Sequence, residues 1–127
     1  MLMRIRLELA RDQDFPNGSK LHGYDFAAPL NADGHLDLAE WKTTRERCRV
    51  KRFWAGEPDL IGHLVHKSGG QSGRWVFDYN AKDDSDDEPG FKFDKHTFAA
   101  GEYVSVQEHD GQQRTFRVAS VRDLAVT

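Results

Sequence analysis

Alternation of apolar and polar residues runs along most of the chain. In the first such run, residues 4–9, apolar side chains stand at positions 5, 7 and 9 and charged ones between them. A period of two is typical of a strand with one buried and one solvated face. Similar runs predict strands near residues 24–28, 48–51, 60–66, 74–79, 91–93, 104–106 and 116–118. Turn-forming clusters between them favour an antiparallel β-barrel or sandwich of about seven or eight short strands with one short helix. The predicted fold class is mainly β, or α+β if the single helix is counted.

The predicted helix begins after Asp37, where the period changes. Asp37 is a favoured N-cap residue, and Glu40 lies three positions later, so its side chain can reach back to the Asp37 N–H as in a capping box. Leu38, Trp41 and Arg45 then fall on one side of a helix. We predict a short helix of about two to three turns, with the Arg45 stem lying across the edge of the core.

The C-terminal hairpin has a predictable register. Val104 and Val106 share one face of its first strand, and Phe116 and Val118 share one face of its second. A two-residue loop would turn Phe116 to the opposite face. A three-residue loop at residues 109–111, with Gly111 in the left-handed conformation, pairs Val104 with Phe116 and buries all four side chains. We therefore predict the three-residue loop.

The length and composition of the chain indicate a single hydrophobic core. The chain has 127 residues, of which 38% are hydrophobic and 11% aromatic. This is enough for one hydrophobic core and too short for a second domain. We treat residues 1–127 as a single globular β-rich domain. Within it, residues 80–90 form a loop too charged to be ordered by burial, and we expect it to be mobile.

The single cysteine, Cys48, bears on the cellular compartment. It cannot form an internal disulfide, which favours a reducing cytoplasm. Its alternation with Arg47 and Arg49 places it in the core as an inert thiol. The N-terminus lacks an apolar signal-peptide segment, and no apolar run approaches the ~18–20 residues of a membrane span. We expect a cytoplasmic protein that does not contact membranes.

Charge is distributed unevenly along the chain. The net charge of −3 argues against a surface built entirely for polyanions. Residues 42–54, however, carry six cations against one anion, and residues 80–90 carry five carboxylates against one lysine. Separation of this kind can steer an anionic partner to the basic strand. The predicted partner-binding residues are Arg45, Arg47, Arg49, Lys51, Arg52 and Trp54.

Three classes of function are compatible with these residues. The chain has no nucleophile elbow, glycine-rich phosphate loop or metal-ligand motif. The leading hypothesis is therefore a non-enzymatic β-domain that binds a protein or another macromolecule through residues 45–54, without a cofactor. The first alternative is a single-stranded RNA- or DNA-binding module, in which the aromatic strand 75–79 is either core or an exposed stacking platform. The second is a metal-dependent enzyme, which requires at least three ligands to converge from His22, His35, His63, His66, His96 and His109.

Three short segments carry a resemblance to a known family. They are His22-Gly23-Tyr24, Cys48-Arg49-Val50 and Gly101-Glu102-Tyr103-Val104-Ser105. With them the chain resembles a family of small bacterial proteins to which no activity is attached. The resemblance implies a bacterial, cytoplasmic setting and no particular chemistry.

Overall fold

The computed structural model describes residues 1–67, 74–79 and 87–124, apart from the side chain of Phe91. In this part of the chain there are eight strands, one α-helix and one 3-10 turn. The elements are β1 (Leu2–Leu9), β2 (Ser19–Pro29), α1 (Leu38–Thr44), the turn Arg45–Arg47, β3 (Arg49–Trp54), β4 (Glu57–Lys67), β5 (Arg74–Asp78), β6 (Glu88–Phe91), β7 (Tyr103–Gln107) and β8 (Gln113–Asp123).

The strands form one closed antiparallel barrel, which confirms the predicted fold class. Each strand pairs with the next in chain order, and β1 pairs with β8 to close the sheet. An eight-stranded barrel has an interior that side chains can fill. The interior of this one holds packed aromatic rings, with the Phe77 centroid 4.8 Å from Tyr24 and 5.1 Å from Phe26. The described chain contains no helix of the length and apolarity that a membrane crossing requires.

Local patterning fixes the orientation of β1 and of the C-terminal hairpin. The apolar positions 5, 7 and 9 of β1 are all buried. In the hairpin, Val104 pairs with Phe116, and Gly111 has a φ of 86°. Val104, Val106, Phe116 and Val118 are at most 1% exposed. The three-residue loop is confirmed, because only that register turns both apolar pairs inward.

The start of α1 is held by one half of the predicted capping box. The Asp37 side chain accepts a hydrogen bond from the Glu40 N–H at 3.1 Å. The reciprocal bond is absent, since the Asp37 N–H donates to the Pro29 carbonyl at 2.9 Å and the Glu40 carboxylate binds the N-terminal amine of Met1. Trp41 is buried, and its indole N–H donates to the Leu64 carbonyl at 2.9 Å.

Removal of this cap should weaken the fold modestly. We expect Asp37→Ala to lower the free energy of unfolding by about 1 kcal/mol, because the Glu40 N–H loses its acceptor. Urea unfolding followed by circular dichroism measures the change. Asp33→Ala, which removes an exposed carboxylate from the preceding loop, is the matched control and should leave stability within about 0.5 kcal/mol. Equal losses in the two variants would show that Asp37 does not act as a cap.

The segment around residue 90 differs from the sequence-based prediction. The sixth strand covers Glu88–Phe91 rather than residues 91–93. Phe93 follows it in a turn, and its ring lies over Gly90, where an added Cβ would be 2.4 Å from the ring. Because Gly90 has no side chain, Phe93 can fold back onto the strand and fill the core.

The segment 80–90, predicted as a mobile acidic loop, ends in a strand, since β6 begins at Glu88. Residues 80–86 lie outside the described residues. Asp87 accepts a hydrogen bond from the Lys67 ammonium group at 2.6 Å, and Glu88 is fully buried in β6. These two carboxylates therefore belong to the ordered barrel and not to a solvated acidic loop.

Candidate functional site

The predicted basic segment divides between the outside and the inside of the barrel. In β3, Val50 and Arg52 are buried while Arg49 and Lys51 are exposed. Arg47, in the turn before the strand, is also exposed. This confirms the predicted outward orientation of positions 47, 49 and 51, and it follows from the period of two along a strand.

Two further arginines extend the exposed group across the sheet. Arg4 of β1 is exposed and lies directly opposite Arg122 of β8, which is exposed as well. Arg4 lines one groove of about 380 Å³ together with Asp25, Ile61 and the cations of the β3 region. We define the outer basic surface as Arg4, Arg47, Arg49, Lys51 and Arg122.

The cations of the outer basic surface have no ionic partner in the part of the chain that the structure describes. None of the five makes a hydrogen bond, ion pair or ring contact with another described residue. Asp25 is opposite Lys51 in the register, but the two form no salt bridge. Like charges directly opposite each other, as at Arg4 and Arg122, destabilise a sheet. The surface therefore carries positive charge that no described residue pairs.

Three predicted partner-binding residues lie elsewhere. Arg45 is exposed, but its guanidinium stacks over the Trp41 ring at 5.2 Å. Arg52 is only 4% exposed and Trp54 is half-buried beneath it at 4.4 Å, so neither lies on the outer surface with Arg49 and Lys51. Both have the same parity along β3 as Val50, so the pleat turns them toward the interior.

Arg52 lies in a group of polar side chains that close one end of the barrel interior. We define the buried polar cluster as Tyr24, Arg52, Tyr79, Glu88 and Glu108. Arg52 donates to both carboxylate oxygens of Glu108 at 3.4 Å and to Glu57 Oε1 at 3.2 Å. Burial alone would lower the pKa of Arg52, but hydrogen bonds and the charge of Glu108 outweigh it and raise that pKa.

Glu88 is the most extensively hydrogen-bonded carboxyl group of the buried polar cluster. Its Oε1 accepts from the Tyr79 hydroxyl at 2.7 Å and contacts the Tyr24 hydroxyl at 2.9 Å. Its Oε2 contacts the backbone N–H of His109 at 3.0 Å and the ring Nδ1 of the same residue at 2.8 Å. A buried carboxylate is stable only with such a full set of donors.

Burial in the buried polar cluster shifts the pKa values of Glu108 and of its two tyrosines. Burial raises the pKa of Glu108 against the opposing hydrogen bonds from Tyr24 and Arg52. Burial also raises the pKa of Tyr24 and of Tyr79, and the negative charge of Glu88 adds to both shifts. Neither phenol ionises under ordinary conditions, so both act as hydrogen-bond donors.

Next to the buried polar cluster, at the rim of the barrel, several side chains pack around the ring of Trp54. The Arg52 and Arg114 guanidiniums lie 4.4 and 5.5 Å from its ring, and the His22 ring lies 4.5 Å away. Arg114 donates to Asp12 at 2.5 Å and to Asp14 at 3.2 Å, which ties the β1–β2 loop over this end of the barrel. Burial and then the nearby arginine charges lower the pKa of His22.

Sequence reasoning missed the buried polar cluster because its five members come from five separate parts of the chain. One signal was available, since the period of two along β3 assigns Arg52 to the same face as Val50. The partners of Arg52 could not be found in this way. Glu88 and Glu108 are 36 and 56 residues further along the chain and have no common motif with it.

The structure shows where the residues lie that the two alternative functions would use. Trp75 and Phe77 are 3% and 1% exposed, so these two aromatic residues of strand 75–79 belong to the core and offer no stacking platform. His22 lies at the rim and His109 against Glu88. Among the described residues, no three histidine, cysteine, aspartate or glutamate side chains come together as a metal site.

Comparison with known proteins finds no match for this chain: no protein-family model, no curated protein and no solved structure is significantly similar to it. The geometry and charge of the outer basic surface and the buried polar cluster are therefore the basis for a function.

Proposed function

We propose that this protein is a non-enzymatic β-barrel domain that binds an acidic segment of a partner protein through the outer basic surface. The observation that carries the proposal is a group of five exposed cations with no ionic partner among the described residues, four on the outside of one continuous sheet and Arg47 in the turn before β3. A complementary acidic chain would neutralise charge that the barrel leaves uncompensated and would be steered to it during encounter. The proposal requires no cofactor.

An acidic protein segment fits this surface better than a nucleic acid does. Ile61 is 50% exposed beside Lys51, so the groove offers an apolar contact next to its cations. Binding of single-stranded nucleic acid relies on aromatic rings that stack on bases. Phe53, the aromatic residue with the same parity along β3 as Arg49 and Lys51, is half-buried and covered by the Arg6 guanidinium at 4.3 Å.

The cellular setting of the proposal is the bacterial cytoplasm. This setting is what the resemblance of the three short segments implies, and the single cysteine, Cys48, whose thiol is fully buried, is compatible with it. Burial raises the pKa of that thiol, which keeps it protonated and unreactive.

Charge reversal of the outer basic surface tests the proposal. We expect Arg49→Glu/Lys51→Glu to weaken binding of a fluorescein-labelled, Asp/Glu-rich peptide containing one leucine by about tenfold or more, because two attractive contacts become repulsive. Fluorescence anisotropy at two salt concentrations measures the Kd, which should rise with salt since exposed charges are screened over ~8–10 Å.

The matched control makes the same change in net charge elsewhere. Arg11 and Lys20 are exposed on the opposite end of the β1–β2 hairpin, and Arg11→Glu/Lys20→Glu should leave the Kd within about threefold. Equal loss in both double variants would mean that only net charge matters. Tighter binding of polyuridylate than of the peptide at the same salt would reject the protein partner and favour the nucleic-acid alternative.

A further inference from the structure

Two grooves meet on the outside of the barrel. The first is the groove of about 380 Å³ that Arg4, Asp25 and the cations of the β3 region line, and we call it the cationic groove. The second has a volume of about 580 Å³ and is lined by residues of β4, of the end of β5, of α1 and of the 3-10 turn after it. Arg49 and Ile61 line both grooves, so the two form one continuous path across the outside of the sheet.

The two grooves differ in charge. Among the described residues, the cationic groove is lined by four cations against one carboxylate. The second groove is lined by two cations, Arg45 and Arg49, against the carboxylates of Glu46 and Asp78, together with the imidazole of His63. Acidic side chains are therefore attracted to the cationic groove, whereas the charges of the second groove largely balance one another.

The second groove offers apolar surface to a ligand. The polar atoms of its two aromatic residues are engaged within the protein: the Trp41 indole N–H donates to the Leu64 carbonyl at 2.9 Å, and the Tyr79 hydroxyl donates to Glu88 at 2.7 Å. These two residues therefore contribute ring carbon rather than free hydrogen-bond donors. Val65, half-buried in β4, adds a branched apolar side chain. We call the second groove the apolar groove.

The path along the two grooves has the length of a short extended peptide. The cationic groove reaches Arg4 in β1 and the apolar groove reaches Asp78 in β5, and these strands are four strand spacings apart in the sheet. At ~4.8 Å per spacing the path is about 19 Å long, a distance that about six extended residues span at ~3.3 Å each. One short segment of a partner can therefore place side chains in both grooves.

We infer that the partner segment carries a large apolar side chain within about six residues of its acidic cluster, and that this side chain occupies the apolar groove while the acidic residues lie in the cationic groove. This selectivity rests on the proposed function, because it specifies which acidic segments the outer basic surface binds. The cations steer and orient any acidic chain, and burial of the apolar side chain discriminates among such chains.

A pair of peptides tests the inference on the unsubstituted protein. Both carry fluorescein and four consecutive glutamates, flanked on each side by Gly-Ser and then by leucine in one peptide and serine in the other, so that either direction of binding is allowed. We expect the leucine peptide to bind about tenfold more tightly in fluorescence anisotropy, because one leucine is buried. Equal Kd values would overturn the inference and leave the proposed function intact. Absence of binding by both peptides would overturn the proposed function as well.

Val65→Gln tests where the leucine binds. Glutamine keeps the net charge and places an amide in the apolar groove, so the Kd values of the two peptides should agree within about twofold. Leu21→Gln is the matched control, because Leu21 is 67% exposed in β2 and lines neither groove, and it should keep the tenfold preference. Circular dichroism and an unchanged Kd for the serine peptide verify that each variant is folded. A full preference in Val65→Gln, or equal loss in both variants, would refute the placement.

Photo-crosslinking locates the apolar side chain without any substitution in the protein. A benzophenone amino acid replaces leucine in the peptide, and mass spectrometry identifies the residues to which it attaches on the unsubstituted protein. We expect attachment within residues 61–65 or 41–46, which line the apolar groove. Attachment outside these two segments would overturn the inference.

Discussion

Arg52→Met is expected to lower the free energy of unfolding by about 3–5 kcal/mol, because it removes the one arginine among the described residues that contacts both Glu88 and Glu108. Methionine has a similar length and fills the space, so the loss arises from charge and hydrogen bonding rather than from a cavity. Glu88 would then be a buried carboxylate without a counter-charge. For a domain of this size the loss is a large fraction of the typical ~5–15 kcal/mol total stability.

Arg49→Met provides the matched control on the same strand. Arg49 is exposed and has no partner among the described residues, so its replacement should change stability by no more than about 0.5 kcal/mol. Urea unfolding monitored by Trp fluorescence measures both variants. Similar stability of Arg52→Met and Arg49→Met would mean that residue 52 lies outside the barrel and that the inside-outside division of β3 is incorrect.

Phe77→Ala is expected to cost about 3–5 kcal/mol by opening a cavity at the centre of the aromatic core. Phe77 is 1% exposed and packs against Tyr24, Phe26 and Phe93 with centroid distances of 4.8, 5.1 and 6.0 Å. These neighbours come from different parts of the barrel and cannot all move into the vacated space, because each is held by its own strand or turn.

The control for Phe77→Ala is the removal of an exposed aromatic ring. Tyr103 in β7 is 56% exposed, and Tyr103→Ala should cost less than about 1 kcal/mol, mostly through lower strand propensity. Thermal or urea unfolding compares the two. A loss below 1 kcal/mol for Phe77→Ala would be inconsistent with a filled interior and would reopen strand 75–79 as an exposed platform.

Under the proposed function, the two faces of β3 separate stability from binding. Substitutions at Arg49 and Lys51 should affect the partner and spare the fold, whereas substitution at Arg52 should affect the fold first. A basic segment in a strand cannot be treated as one binding element, since successive side chains point to opposite faces.

Much of the fold follows from local sequence. Period-two alternation predicted the strands, Asp37 marked the start of the helix, and the spacing around Gly111 fixed the hairpin register. These features depend on backbone geometry and on neighbours within a few residues, which the sequence states directly. The outward cations at positions 47, 49 and 51 follow from the same rule.

The closure of the barrel and the buried polar cluster were decided only in three dimensions. Pairing of β1 with β8 joins residues more than a hundred positions apart, and no local pattern specifies that contact. Glu88 appears in the sequence as the end of an acidic run, which alone predicts a solvated loop. It is buried because Tyr24, Tyr79 and His109 surround its carboxylate with donors. A charge is stable inside a protein only where other elements bring compensating groups to it, so its burial depends on the assembled barrel rather than on its neighbours in sequence.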